Sequence, residues 1–196
     1  MSLYKLKAIV FDLDNTLISS DIDFTQLRHH LQCPQDRDLL IHLKQFDLEE
    51  QKRLSDIVRE YELKDAVSSA LMPGAAELIS WLKQKRYYTA VITRNCRQAA
   101  TAKIQTHQLP IEHLLTREEF APKPAPDALH HLMNQWQLTP QEVLYVGDHY
   151  YDIATAKNAG CQSCFIANEN IEANIPAHAN FCFSSLIELL RALKVR

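Results

Sequence analysis

Asp12 and Asp14 stand two residues apart where an apolar run, Leu6 to Phe11, breaks off. Open parallel sheets bind ligands beyond the carboxyl ends of their strands, so a carboxylate pair there is placed for chemistry. Alone, the pair would serve equally well to cap a turn. Three later segments bear on the choice. Thr93-Arg94-Asn95 follows the apolar run Tyr88 to Ile92, and a hydroxyl beside the free amides of a helix start suits an anion. Lys123 lies in Ala121-Pro122-Lys123-Pro124, where flanking prolines keep its backbone extended and its amine in place. Gly147-Asp148-His149-Tyr150-Tyr151-Asp152 closes a third apolar run with two more carboxylates, which at i and i+4 can face one point. Like charges gathered together repel, so these acids need a cation among them. Oxygen donors alone suit Mg²⁺, which keeps some of its waters and bridges to a substrate phosphate. The lysine and the hydroxyl would hold the remaining phosphoryl oxygens. The chemistry predicted is phosphoryl transfer.

Positioning such a set falls to short apolar runs alternating with helical patterns, the mark of an α/β domain with a parallel sheet. Strands are predicted over Leu6 to Phe11, Tyr88 to Ile92, His113 to Leu115, Val143 to Val146, Cys161 to Ile166 and Phe181 to Phe183. Helices are predicted over Gly74 to Lys85, Asn95 to His107, Asp127 to Gln137, His149 to Ala159 and Ser184 to Leu193. One connection breaks the rhythm, because residues 17–72 show helical periodicity and no strand. Leu54, Ile57, Val58 and Tyr61 fall at i, i+3, i+4 and i+7, and Leu63, Ala66, Val67 and Ala70 repeat the spacing on a shifted face. The segment reads as a helical insertion leaving from the strand that carries the chemistry, and so as a lid. Among the few glycines, Gly147 has no helix end to explain it; close backbone approach at the site is the expected reason.

Composition excludes several classes of function. A net charge of −3 supplies no basic field for nucleic acid, and no apolar run is long enough to span a bilayer. Five cysteines do not make a disulfide framework, and Cys161-x-x-Cys164 falls in a predicted buried strand with no second Cys/His pair to complete a zinc site. The N-terminus lacks the pattern of a secretory signal, which predicts a cytoplasmic protein. No long apolar surface stripe is visible, so a monomer is expected. The adjacent pairs His29-His30 and His130-His131 diverge on a helix and are expected in solvent.

In order and spacing, the carboxylate pair, Thr93, Lys123 and the Gly147-Asp148-x-x-x-Asp152 ending resemble the four motifs of the haloacid dehalogenase superfamily of phosphohydrolases. The resemblance spans residues 5–166. Asn15 stands where glycine is often found, and Asn tolerates the same unusual backbone angles. The resemblance implies a Rossmann-like doubly wound, mostly parallel sheet over residues 1–16 and 73–196. A small all-α cap over 17–72 would follow the first strand, as in phosphoglycolate-phosphatase-like members. It implies that Asp12 is the nucleophile and becomes an aspartyl-phosphate, and that Asp14 is the general acid and base. Thr93 and Lys123 would bind the phosphoryl group, with Arg94 and Asn95 beside them. Mg²⁺ would be held by Asp12, Asp148 and the Asp14 carbonyl, with Asp152 a ligand through water or a support for Lys123. The substrate implied is a small phosphate ester, phosphoglycolate or a similar metabolite. Alternatives are a sugar phosphomutase of the same superfamily, a receiver-type phospho-signalling domain and a binding protein without activity. Asp23, Arg28 and His29 are the cap groups expected to face substrate, and His149 could touch it or only shape its loop. The cap's 11 acidic and 7 basic residues mildly disfavour large polyanions.

Overall fold

Ala8, Ile9, Val10 and Phe11 are buried one after another, so both faces of their strand must be covered and it must lie within the sheet. The computed structural model describes residues 3–168, 176 and 178–195; Met1, Ser2 and Arg196, assigned by sequence to the sheet domain, lie outside these. The strands are β1 (Ala8–Phe11), β2 (Tyr88–Ile92), β3 (His113–Leu115), β4 (Val143–Gly147), β5 (Gln162–Ile166) and β6 (Phe181–Phe183). The helices are α1 (Phe24–His30), α2 (Leu39–Leu43), α3 (Leu48–Ser68), α4 (Ala75–Gln84), α5 (Arg97–Thr106), α6 (Asp127–Trp136), α7 (Tyr150–Ala159) and α8 (Leu186–Lys194). Leu3–Lys5 forms a short 3₁₀ turn, so the first strand starts at Ala8 and not at Leu6.

The sheet order is β3-β2-β1-β4-β5-β6 and every neighbouring pair is parallel. This is the doubly wound order whose reversal lies between β1 and β4, where a ligand crevice opens beyond the strand ends. A receiver-type domain has a different order, 2-1-3-4-5, and that alternative is set aside. One face of the sheet packs Leu78, Ile79 and Leu82 of α4 with Leu186, Leu189 and Leu193 of α8 against Ile9, Phe11 and Val146. The other packs Leu129, Leu132 and Trp136 of α6 against Val10, Ala90 and Tyr145. Cys164 belongs to the first layer and Cys161 to the second, so the two thiols of the C-x-x-C face opposite sides of the sheet. Both are buried and free, and burial pushes the Cys161 thiol up to about 12.

The helices α1 to α3 build a second, smaller core from Leu27, Leu31, Leu39, Leu43, Leu54 and Val58. Leu17 and Ile18, counted with the insertion from sequence, are packed in the sheet's own core. The chain leaves and returns side by side: Ser19 N donates to Ala70 O at 2.7 Å and Met72 N to Leu17 O at 3.0 Å. Except for Ala70, which lies beyond its end, the two helical stripes read from sequence fall on one continuous helix, α3, and the second stripe is not an apolar face. Val67 is 87% exposed, whereas Glu62 and Asp65 are buried on the inward side next to Val58 and Ala66. Charged groups occupy that side because they meet partners on α5 and the loops around it, described below.

Candidate active site

β1 delivers Asp12 directly to the crevice, its amide donating to Val146 O of β4 at 2.9 Å. The turn that follows needs a positive φ, and Asn15 supplies it at +54°. Thr16 is thereby brought back to donate its hydroxyl to Asp148 Oδ1 at 3.0 Å. Asp148 follows β4, and Asp152 sits in the first turn of α7, its Oδ2 accepting the His149 amide at 3.0 Å. Gly147 explains how these fit. A Cβ at that position would lie 2.2 Å from Asp152 Cγ, so only glycine lets the strand end pass the buried carboxylate.

One carboxylate oxygen from each of Asp12, Asp148 and Asp152 lies within 4.8 Å of the other two. Lys123 enters between them, its Nζ 2.6 Å from Asp12 Oδ1 and 2.6 Å from Asp152 Oδ1. Leu13 N also donates to Asp12 Oδ1. Among the described residues no donor is hydrogen-bonded to Asp12 Oδ2 or to Asp148 Oδ2. Three carboxylates with one lysine leave negative charge uncompensated, and the donors are all oxygens, so the cluster fits a hard divalent cation. Burial pushes the Asp12 carboxyl up to about 6 against the opposing pull of Lys123, and the Asp152 carboxylate adds to the rise. Burial, with Asp12 and Asp152 nearby, pushes Asp148 to about 7. Burial would lower Lys123, but its two carboxylates outweigh it and raise the ammonium well above its usual range.

Asp14 stands apart from this cluster. Its Oδ1 takes Lys103 Nζ at 2.5 Å and its Oδ2 takes Asn95 Nδ2 at 2.8 Å. Thr93 is buried at the end of β2 with its hydroxyl accepting Asn95 N at 3.1 Å. The helix after it starts at Arg97, two residues later than the sequence predicts, because Cys96 caps it. The Cys96 amide is not free for an anion: it donates to Glu62 Oε2 of α3 at 3.0 Å. Arg94 reaches across to the insertion, donating to Asp38 Oδ2 at 2.6 Å and to Lys123 O at 2.8 Å over the face of Tyr151. Arg28 lines the cavity over Asp12, whereas Asp23 caps α1 through Gln26 N and is exposed, as is His29. His149 caps α7 and lines the cavity rim, and His130 and His131 are exposed.

Residues 9–166 match the profile of the haloacid dehalogenase-like hydrolases. The chain belongs to that family. The hydrolase is 32% identical over 174 residues to a haloacid dehalogenase-like hydrolase domain-containing protein of Arabidopsis thaliana, covering 83% of this chain and 71% of the other. It is 30% identical to the phosphoglycolate phosphatase of Vibrio vulnificus strain YJ016, over 100% of this chain and 99% of that protein. The crystal structure of a hydrolase from Pseudomonas syringae superposes with a TM-score of 0.78 at 20% identity, covering 96% of this chain and 98% of the other, which shows the shared fold. The hydrolase thus resembles the phosphoglycolate-phosphatase-like members of its family. Among its described residues, no helix is long and apolar enough to cross a membrane.

Several site residues escaped the sequence reading. Lys103, 0% exposed, lies between Asp14 and Asp65, and Glu62 is paired with Arg117. Asp38 takes both Arg94 and the Tyr151 hydroxyl. A signal existed for the first group: Glu62 and Asp65 share a helical face with Val58 and Ala66, and Lys103 shares one with Ala99 and Ala100. A charge on a buried stripe requires a partner elsewhere in the chain.

Proposed function

We propose that the hydrolase is a magnesium-dependent phosphatase of small phosphomonoesters, working as a cytoplasmic monomer with the helical insertion of α1 to α3 as its cap. The carrying observation is the convergence of Asp12, Asp148 and Asp152 to within 4.8 Å, with Lys123 held at 2.6 Å from two of them. Asp12 attacks phosphorus; a bond forms from its carboxylate oxygen while the ester P–O bond breaks. Asp14 protonates the departing oxygen, and burial, which raises its carboxyl against the pull of Lys103, favours the acid form this needs. Asp14 then takes a proton from the water that attacks the aspartyl-phosphate, releasing phosphate and restoring Asp12. Thr93 and Lys123 hold phosphoryl oxygens, Arg94 and Asn95 stand beside them, and Asp152 fixes Lys123. Asp12, Asp148 and the Asp14 carbonyl hold Mg²⁺, which when bound offsets the charge of the carboxylates and of the phosphate. Phosphoglycolate, named for the Vibrio relative, is the first ester to assay.

The test is phosphate release from an aryl phosphate with and without Mg²⁺, by the parent and by Asp12→Asn. Release that needs Mg²⁺ and vanishes in a folded Asp12→Asn variant is expected. Substantial turnover by that variant would refute the nucleophile. Release only in the presence of a sugar bisphosphate would favour the phosphomutase reading.

A further inference from the structure

The cavity over Asp12 measures about 310 Å³, room for a small molecule, and its two walls differ in kind. The sheet side carries the reacting groups. The insertion side exposes Ile22, Leu40 and Phe24, the last 57% exposed, over the insertion's own core of Leu27, Leu39 and Val58, and it also carries Arg28, Asp38 and Glu62. Ester and metal chemistry need none of Ile22, Phe24 and Leu40, which leaves them to face the part of the substrate that departs.

The charges on the same lining leave little for a second anion. Apart from the groups placed in the reaction, the charged lining residues are Asp38, Glu62, Arg28 and Arg94, two of each sign. Arg94 is tied at 2.6 Å to Asp38, whose other partner, the Tyr151 hydroxyl, is also at 2.6 Å. The charge of Arg94 is thus already matched by that of Asp38. Arg28 spends one terminal nitrogen on Pro34 O and Arg37 O, each at 2.8 Å. With Asp38 and Glu62 paired to Arg94 and Arg117, it is, among the described residues, the one cation of this lining that could still meet a substrate anion. Away from Arg28, a carboxylate placed against Ile22, Phe24 and Leu40 would lose its hydration without gaining a partner.

We propose that the substrate's leaving group is an uncharged alcohol of alkyl or aryl character, seated on the apolar wall, and not an anionic one such as glycolate. This rests on the phosphatase reading above. The test uses the full chain with Mg²⁺ and compares phenyl phosphate with para-carboxyphenyl phosphate, and ethyl phosphate with phosphoglycolate. The uncharged member of each pair should have the higher kcat/KM by at least about tenfold, because the charged one must strip a carboxylate of water against the apolar wall. Leu40→Arg, at a partly exposed lining position, should bring the phenyl to carboxyphenyl ratio toward one. A preference for phosphoglycolate that Arg28→Ala abolishes would overturn the inference and leave the phosphatase standing. No phosphate release from any of the four esters would remove both.

Discussion

Two buried lysines flank the first motif, each between two carboxylates, and they are built to opposite ends. Lys103 joins Asp14 to Asp65, and every oxygen of those two acids is occupied: Asn95 takes the second oxygen of Asp14, and Ser20 Oγ and Asp21 N complete Asp65. Lys123 joins Asp12 to Asp152, but a third acid, Asp148, is added and two acceptor oxygens are left over. The first cluster is complete within the protein and pins the insertion to the sheet domain. The second is short of positive charge. A lysine between carboxylates is therefore no mark of function by itself; the excess of acceptors is.

The two lysines part company most sharply when Lys123 is removed. Lys123→Met should lower kcat for phosphate release about a hundred- to a thousandfold, the loss typical of one charge-stabilising donor. Lys103→Met should act first on stability. It leaves Asp14 and Asp65 without their shared cation, at a cost of about 3–5 kcal/mol in urea unfolding. Adding Asp65→Asn should recover part of that loss; if it recovers none, the clamp is misassigned. A subtler separation comes from pH. The folded carboxyls of Asp12, at about 6, and Asp148, at about 7, lie above the unfolded value of about 3.9. The folded protein then binds more protons than the unfolded one between those limits. Metal-free stability contributed by these groups is full below about pH 4 and falls as pH rises through about 7. Mg²⁺ should raise the melting temperature more at pH 8 than at pH 5, and an equal or reversed shift would deny the cation a place among these acids. The smallest effect is expected at Val67, where Val67→Ser should change stability by less than about 0.5 kcal/mol.

Much of this was legible because β1, β2 and β4 are short apolar runs that stop at polar residues, and a parallel sheet brings such stops to one edge. β2, β3 and β6 have the predicted bounds. What escaped depended on contacts between distant segments. Glu62, Asp65 and Lys103 look like ordinary surface charges until α3 is laid against α5, and Asp38 looks like a helix cap, which it also is. Val67 misled for the converse reason: its spacing was right, but the charged partners fixed the rotation of α3 and turned it outward. Periodicity gives the shape of a helix and not which of two faces will find company.

The entry and exit of the insertion run as a narrow antiparallel ribbon, with Ile18 bridged to Leu71 and Ser19 bonded to Ala70. Ends fastened to one another in this way make the intervening stretch a cassette. Its loops and exposed faces can be lengthened or exchanged without shifting the register of any strand, as long as Asp65, Glu62 and Asp38 keep their contacts with the sheet domain.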